Sequence, residues 1–258
     1  MKTLKVVKIG GNIIDNEKAL QTFIQQFAQL EGPKVLVHGG GKLATQLSKA
    51  MNVEVKMVEG RRITDADTLD IITMVYGGKI NKNLVALLQA SNCNAVGFAG
   101  ADGNSIVSVK RPVKTVDYGF VGDVTKVNVN IPSLLLNTGV TPVFCAITHD
   151  GKGQLLNTNA DTITSELAIA FSEEFKVELY YCFEKSGVLE DVNDESSVIQ
   201  NINSANYKTL LENGIITDGM LPKMKNCFHA LHGNVSKVCI GKTEMLFNEN
   251  VLYTTLTL

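Results

Sequence analysis

A lysine and a pair of glycines stand at the end of the first apolar run of this sequence. The run spans residues 4–9 and contains Lys8, and Gly10 and Gly11 follow it directly. Short runs rich in β-branched residues are typical of buried parallel strands. Lysines at strand ends often extend to water, so a solvated surface lysine is one interpretation. A cation that binds a ligand at the carboxyl end of the strand is the other.

Three further glycines, residues 39–41, follow the apolar residues 34–38 and precede a predicted helix. Backbone N–H groups and the helix dipole favour an anion at such a position, so a phosphate or a carboxylate can bind there. A tight turn between strand and helix explains the same glycines without a ligand. Lys42 and Leu43 do not match the end of a P-loop motif, and the glycine spacing is not that of a dinucleotide-binding fingerprint.

Two arginines, Arg61 and Arg62, come just before another predicted helix, for which Thr64 or Asp65 is the expected N-cap. A guanidinium binds a carboxylate through two parallel hydrogen bonds. Either arginine is therefore a candidate anchor for an acidic substrate. Solvated surface arginines are the alternative interpretation.

The segment LLNTNADT, residues 155–162, contains more polar side chains than a helix start requires. Capping explains Asn159 and an aspartate in the first turn, Asp161. It does not explain Asn157, and an aspartate at a binding edge can also hold lysines in position. Lys223, near the start of a later predicted helix, is a second candidate lysine.

Strands and helices alternate along most of the chain. The predicted strands are residues 4–9, 34–38, 53–59, 95–100, 140–147, 176–183 and, as the last strand, 236–240. The predicted helices are residues 15–30, 65–89, 160–171, 203–213 and 219–232, with one more beginning at residues 39–41.

Residues 105–128 instead show short alternating runs joined by turns, which predicts an antiparallel hairpin region at the sheet edge. The rest of the pattern indicates an α/β fold with an open, mainly parallel sheet and helices on both faces. Ligands bind such sheets at the carboxyl ends of the strands. Gly10, Gly11 and Gly100 lie at predicted carboxyl ends, as do residues 39–41, which favours a ligand-binding interpretation of Lys8.

Composition limits the classes of partner. With 258 residues and 45% hydrophobic content, the chain can bury a large core. Its net charge is −2 and it has no long run of one sign, so nothing indicates a nucleic-acid or membrane surface. The chain start lacks the pattern of a signal peptide, and no apolar run reaches the roughly 18 residues of a membrane span. We expect a cytoplasmic protein with a small-molecule ligand.

Cysteines and histidines do not predict a metal centre. The five cysteines form no CxxC pair and most have apolar neighbours, which is typical of reduced core residues. The four histidines also lack the spacing of metal ligands. We therefore expect no metal cage built from side chains.

Seven segments together resemble the amino acid kinase family in order and spacing. They are KIGGN, LVHGGGK, GRRITD, GFAGADGNSI, YGFVGDVTKVN, LLNTNADT and GMLPKMKNC, and they span nearly the whole chain. The resemblance implies a three-layer αβα sandwich with an open, mainly parallel central sheet. It also implies one continuous domain in which residues 1–171 bind an acyl-glutamate and carry dimer contacts, and residues 172–258 bind the nucleotide.

The resemblance also implies roles for single residues. Lys8 and Lys223 resemble the two lysines that stabilise the transferred phosphoryl group, and Asp161 resembles the carboxylate that orients them. The implied substrate-binding residues are Gly40, Gly41, Arg62 and Asn157, and the implied nucleotide-phosphate contact is Gly11.

The implied reaction transfers the γ-phosphoryl group of ATP, with Mg²⁺, to the side-chain carboxylate of N-acetyl-L-glutamate in arginine biosynthesis. The family resemblance further implies a homodimer. Phosphoryl transfer requires mainly positioning and positive charge around a loose transition state, which two lysines supply. No general base is needed, because the nucleophile is already a carboxylate.

Two departures from the family pattern leave alternatives open. Residues 182–189 read CFEKSGVL where the family usually has LTDVPGVL, so Glu184 replaces an aspartate on the nucleotide side. Arg61 stands where an apolar residue is commoner, and a second guanidinium would suit the extra carboxylate of N-succinyl-L-glutamate. A non-catalytic amino-acid or nucleotide sensor of the same fold is a third alternative, against which the presence of both lysines and Asp161 argues.

Overall fold

A computed structural model describes residues 1–58, 60–216, 220–248 and 250–258. The strands are β1 (Thr3–Ile9), β2 (Lys34–His38), β3 (Met57–Val58), β4 (Arg61–Arg62), β5 (Ala95–Phe98), β6 (Ile106–Lys110), β7 (Gly122–Val127), β8 (Thr141–Phe144), β9 (Ile147–His149), β10 (Leu155–Asn157), β11 (Lys176–Cys182), β12 (Asn201–Ile202), β13 (Lys237–Gly241) and β14 (Thr254–Leu256). The α-helices are α1 (Gly11–Ile14), α2 (Glu17–Gln29), α3 (Gly41–Ala50), α4 (Ala66–Ile72), α5 (Asn81–Ala90), α6 (Asn130–Asn137), α7 (Ala160–Phe171), α8 (Ser204–Glu212) and α9 (Leu221–His232).

The central sheet has eight strands in the order β12-β14-β13-β11-β1-β2-β8-β5. Among the described strands of this sheet, only β13 and β14 pair in antiparallel fashion. The predicted open, mainly parallel sheet is therefore confirmed. Four adjacent strands come from residues 1–171 and the other four from residues 172–258, and β1 and β11 pair where the two sets meet.

Apolar runs form the centre of this sheet. Every residue of β2 is buried, and in β1 Leu4, Val6, Val7 and Ile9 have no exposed surface. Because a strand buried at every position has both faces covered, helices must pack on both sides of it. One helix group contains α7 and α9, which contact each other and β11 or β13, and another contains α2 and α5. This arrangement is the predicted αβα architecture.

Asparagine side chains cap the first turns of two helices. The Asn16 side chain accepts a hydrogen bond from the Ala19 N–H, and Asn159 accepts from the N–H groups of Asp161 and Thr162. Pro222 stands in the first turn of α9, where its missing N–H costs nothing. Helix α7 has the bounds that the sequence predicts.

Several predicted boundaries were wrong. Within residues 53–58 only Met57–Val58 forms a strand, and Glu59 lies outside the described residues. The strand near residues 236–240 is not the last, because β14 follows it. The hairpin of β6 and β7 exists, but with β9 and β10 it builds a separate four-stranded sheet instead of extending the main one. Strands of two or three residues are too short for a periodic pattern, which explains why β10, β12 and β14 were missed.

The predicted helix at residues 65–89 is continuous in its helical backbone but not uniform. It begins as α4 and ends as α5, and residues Thr73–Ile80 between them form a π-helix. The predicted start of α9 at Gly219 lies outside the described residues, and the described helix begins at Leu221. Within the described residues, no helix combines the length and the apolar character needed to cross a membrane.

Candidate active site

Asp161 joins two lysines that are distant in the sequence. Lys8 Nζ lies 2.8 Å from Asp161 Oδ1, and Lys223 Nζ donates a hydrogen bond of 2.9 Å to Asp161 Oδ2. The side chains of Lys8, Asp161 and Lys223 are 12%, 14% and 27% exposed, so water screens these charges only partly. A solvated surface lysine therefore does not describe Lys8. The three side chains together carry one net positive charge when all are ionised.

The fold fixes Asp161 from two sides. Its N–H donates to the Asn159 side chain at 2.8 Å, which caps α7. Its backbone carbonyl accepts a hydrogen bond of 2.9 Å from the hydroxyl of Tyr181, a buried residue of β11. Burial by itself raises the pKa of the Asp161 carboxyl, but the charges of Lys8 and Lys223 outweigh it and hold this pKa well below the usual range. Asp161 is therefore ionised at neutral pH.

The glycine segment between β2 and α3 lies close to this cluster. A Cβ atom built on Gly39 would lie 3.8 Å from the Cβ of Ala160, the residue next to Asp161. A Cβ on Gly40 would lie 2.3 Å from Ile80 Cδ1 and 2.8 Å from Tyr76 Cδ1, so no side chain fits at Gly40. Helix α3 begins at Gly41 without a side-chain cap among the described residues, which leaves N–H groups of its first turn available for an anion.

Gly11 lies beside the start of α3 as well. A Cβ on Gly11 would lie 3.3 Å from Asp15 Oδ2 and 4.0 Å from the Lys42 side chain. Lys42 Nζ also donates a hydrogen bond to Asn12 Oδ1. The glycine turns that follow β1 and β2 are therefore neighbours, as the parallel order of these strands requires.

Arg62 reaches the same glycine segment. Its Nη2 donates hydrogen bonds to the Gly41 carbonyl at 3.1 Å and to Thr45 Oγ1 at 2.7 Å. Its Nη1 is buried and has no hydrogen-bond partner among the described residues. A buried guanidinium nitrogen without a hydrogen-bond partner lowers the stability of the folded protein. This donor is therefore well suited to bind an acceptor on a ligand, such as a carboxylate.

Asn157 is connected to Arg62 through Thr64. The Asn157 side chain donates a hydrogen bond of 3.0 Å to Thr64 Oγ1. The backbone of Thr64 in turn exchanges hydrogen bonds with residues 118 and 120, and the Asn157 N–H donates to the Phe120 carbonyl. Residues 62–64, 118–120 and 157, which are far apart in sequence, thus form one wall of the site.

A comparison with known proteins assigns the chain to a family. The sequence model of the amino acid kinase family matches residues 3–242. The chain belongs to the amino acid kinase family.

Two curated relatives carry the name acetylglutamate kinase. The protein of Cytophaga hutchinsonii is 54% identical over 254 residues, covering 97% of this chain and 96% of the relative. The protein of Bacteroides fragilis is 54% identical over 237 residues, covering 92% of this chain and 91% of the relative. Among solved structures, the smu.665 protein of Streptococcus mutans UA159 has a TM-score of 0.77 and 25% identity, with 98% of each chain covered.

The structure brings most of the predicted site residues of this amino acid kinase into two connected groups. The first group is Lys8, Asp161 and Lys223, and the second is Gly40, Gly41, Arg62 and Asn157 with Thr64. The groups meet where Gly39 lies against Ala160. Gly11 lies beside Lys42 at the start of α3.

The two positions that depart from the family pattern are both exposed. Arg61 and Arg62 are neighbours in the short strand β4, and only Arg62 is engaged with the glycine segment, whereas Arg61 is exposed. Glu184, which follows β11, is exposed as well. All five cysteines are buried, as expected of core residues, and burial raises the pKa of Cys145 to about 12.

Sequence reasoning missed three residues that support the glycine segment. His38 and Asn81 form a buried hydrogen-bond network below it, and Tyr76 packs against Gly40. A histidine directly before three glycines was a usable signal for His38. Two successive glycines inside a helical pattern, Gly77 and Gly78, were a usable signal for the π-helix that positions Tyr76.

The arrangement is suited to a polyanionic ligand and a second, carboxylate-bearing ligand. Two ammonium groups held by one carboxylate leave a net positive charge beside available N–H groups, while Arg62 offers a buried donor nearby. In the described part of the chain, no three His, Cys, Asp or Glu side chains come together in a way that could hold a metal ion.

Proposed function

We propose that this chain catalyses the acetylglutamate kinase reaction of arginine biosynthesis. A side-chain carboxylate oxygen of N-acetyl-L-glutamate bonds to the γ-phosphorus of ATP as the bond from that phosphorus to the ADP oxygen breaks. The products are an acyl phosphate and ADP, and no proton needs to move. The ion-paired arrangement of Lys8, Asp161 and Lys223 carries this proposal, together with the relatives that bear the name.

In this proposal each lysine stabilises charge on the transferred phosphoryl group. Asp161 holds both ammonium groups in place before the substrates bind, so little reorganisation is required at the transition state. The buried Nη1 of Arg62 binds the α-carboxylate of the substrate, and Asn157 and the glycines at residues 40 and 41 complete that side. Gly11 contacts a nucleotide phosphate.

The proposal includes Mg²⁺ carried by ATP. Mg²⁺ commonly keeps several waters and binds substrate phosphates with one or two carboxylates, so a dedicated side-chain cage is not required. The carboxylate of Asp161 is already paired with two lysines, which fits an ion held mainly by the nucleotide. When bound, this ion would neutralise charge on the phosphates.

We also propose that residues 1–171 bind the acyl-glutamate and residues 172–258 the nucleotide, in a cytoplasmic homodimer. The division of the central sheet into two sets of four strands supports the first part. The dimer is inferred from the family resemblance, and light scattering of the purified protein measures it. The N-succinyl alternative gains no support from Arg61, which is exposed while Arg62 is engaged.

The test is an ADP-release assay with N-acetyl-L-glutamate, N-succinyl-L-glutamate and free L-glutamate. We expect the highest kcat/KM with the acetyl substrate. Lys8→Ala and Lys223→Ala should each lower kcat by about 10²–10³-fold, because each removes a donor of positive charge to the transition state. Lys225→Ala is the matched control, since Lys225 is an exposed lysine of the same helix as Lys223. Near-normal kcat in a folded Lys8→Ala or Lys223→Ala variant would contradict the proposed roles.

A further inference from the structure

The π-helix Thr73–Ile80 places two side chains against the glycine segment. A π-helix is wider than an α-helix and is often found at functional sites. Tyr76 and Ile80 both project toward Gly40, where a Cβ atom would lie 2.8 and 2.9 Å from two atoms of the Tyr76 ring. The Tyr76 ring is therefore in close contact with the backbone of the proposed acyl-glutamate site.

The hydroxyl group of Tyr76 lies near the groups that recognise the substrate. A Cβ atom on Gly41 would lie 3.9 Å from the Tyr76 oxygen, and the carbonyl of Gly41 accepts a hydrogen bond from Arg62. Burial raises the pKa of Tyr76, and the positive charge of Arg62 opposes this effect, which agrees with their proximity. Tyr76 belongs to the residues that sequence reasoning did not select.

Two polar groups at this place have no partner within the described structure. Tyr76 is only 6% exposed as a residue, so most of its ring is buried while its hydroxyl can still reach a ligand. No hydrogen bond between described residues involves the Tyr76 hydroxyl, whose oxygen is solvent-accessible, whereas the Nη1 of Arg62 is buried and has no partner among them. Both groups donate hydrogen bonds, so one ligand that presents two acceptor oxygens can satisfy both.

We propose that the Tyr76 hydroxyl is a specificity-determining contact that donates a hydrogen bond to the substrate α-carboxylate bound by Arg62. This inference rests on the proposed function. The reacting side-chain carboxylate is at the lysines, so the α-carboxylate is the substrate group available to the donors near Gly41. The ring of Tyr76 meanwhile excludes water from that side of the carboxylate.

The test replaces Tyr76 by phenylalanine, which removes one oxygen and keeps the ring that packs on Gly40. We expect Tyr76→Phe to raise the KM for N-acetyl-L-glutamate by about ten- to a hundred-fold, which corresponds to the loss of one hydrogen bond to a charged group. The KM for ATP and the melting temperature should stay close to those of the native protein. The matched control is Tyr207→Phe, because Tyr207 is a partly buried tyrosine of α8 that packs on Phe228.

A ligand that lacks the α-carboxylate shows which substrate group the hydroxyl contacts. We expect 4-acetamidobutanoate, which keeps the acetyl and reacting groups, to inhibit the native protein and Tyr76→Phe with the same inhibition constant. An equal loss of affinity for both ligands would overturn the assignment to the α-carboxylate, and so would an unchanged KM for N-acetyl-L-glutamate.

Failure of the proposed function is recognised separately. If the native protein neither binds nor phosphorylates N-acetyl-L-glutamate, the proposed function is wrong and the role of Tyr76 falls with it. If the native protein is active and Tyr76→Phe behaves like Tyr207→Phe, only the role of Tyr76 is overturned.

Discussion

His38 is buried beneath the glycine segment, and we predict that acid destabilises the protein through this side chain. Its Nδ1 lies 2.8 Å from the Gly39 carbonyl, which can only accept, so Nδ1 carries the proton. Its Nε2 accepts from the amide of Asn81 at 3.1 Å, and the same amide donates to the Val143 carbonyl at 2.9 Å. Protonation of Nε2 would replace this acceptor by a donor and place a charge in the core.

The size of the effect follows from the pKa of His38. Burial lowers this pKa from 6.5 to about 4, although the hydrogen bond to Gly39 opposes the shift. The unfolded chain therefore binds a proton below about pH 6.5, while the folded protein resists it until about pH 4. Stability is lost as the pH falls through this window. The free energy of unfolding should decrease by about 2 kcal/mol between pH 7.5 and pH 5 and by about 3 kcal/mol at pH 4.

The assay is urea unfolding at several pH values, compared between the native protein and His38→Gln. Other groups titrate in the same range, but they do so in both proteins, so the difference in pH dependence isolates His38. His232→Gln is the matched control, because His232 is exposed in the last turn of α9. If the native protein and His38→Gln lose the same stability between pH 7.5 and pH 5, the reasoning is refuted.

Two substitutions test the glycine segment and the charged cluster. Gly40→Ala should cost about 1–3 kcal/mol in urea unfolding and raise the KM for the acyl-glutamate, because its Cβ would lie 2.3 Å from Ile80 Cδ1. A Cβ on Gly78 would have nothing within 4 Å, so Gly78→Ala should neither lower the free energy of unfolding nor raise this KM. Equal effects of Gly40→Ala and Gly78→Ala on both quantities would contradict the steric argument. Asp161→Asn should lower kcat and destabilise the fold by about 3 kcal/mol, because two partly buried lysines lose their counter-charge. An unchanged kcat would remove Asp161 from the proposed mechanism.

The sequence allowed prediction of the elements that position the lysines. Strands β1 and β2 and helix α7 have long enough apolar or capped patterns for their bounds to be recognised within one or two residues. Because parallel strands end at one edge, Lys8 and the glycines at residues 39–41 were expected at the same edge. The contact between Lys8 and Asp161 requires only that α7 begins at that edge as well.

The residues around the glycine segment lie on elements that are too short or too irregular to be predicted from the sequence. Arg61 and Arg62 look equivalent in sequence, and only the pairing of β4 with β3, two residues long, turns one of them toward Gly41. Strand β10, which carries Asn157, has three residues. The π-helix changes which residues share a face, so α-helical spacing did not indicate that Tyr76 contacts Gly40.

The charged cluster lies where the two sets of strands meet. Lys8 belongs to β1 and is paired with Tyr181 of β11, and the hydroxyl of Tyr181 holds the carbonyl of Asp161. Lys223 comes from α9, in the second half of the chain. A carboxylate between these two lysines therefore connects residues from both halves. In the proposed reaction the phosphoryl group passes from a nucleotide on one half to an acceptor on the other, so its path crosses this boundary. A shift between the halves would lengthen the ion pair between Lys223 and Asp161, whereas the wall formed by residues 62–64, 118–120 and 157 lies within one half. For this reason, a variant that loosens the pairing of β1 with β11 should lower kcat more than it raises either KM.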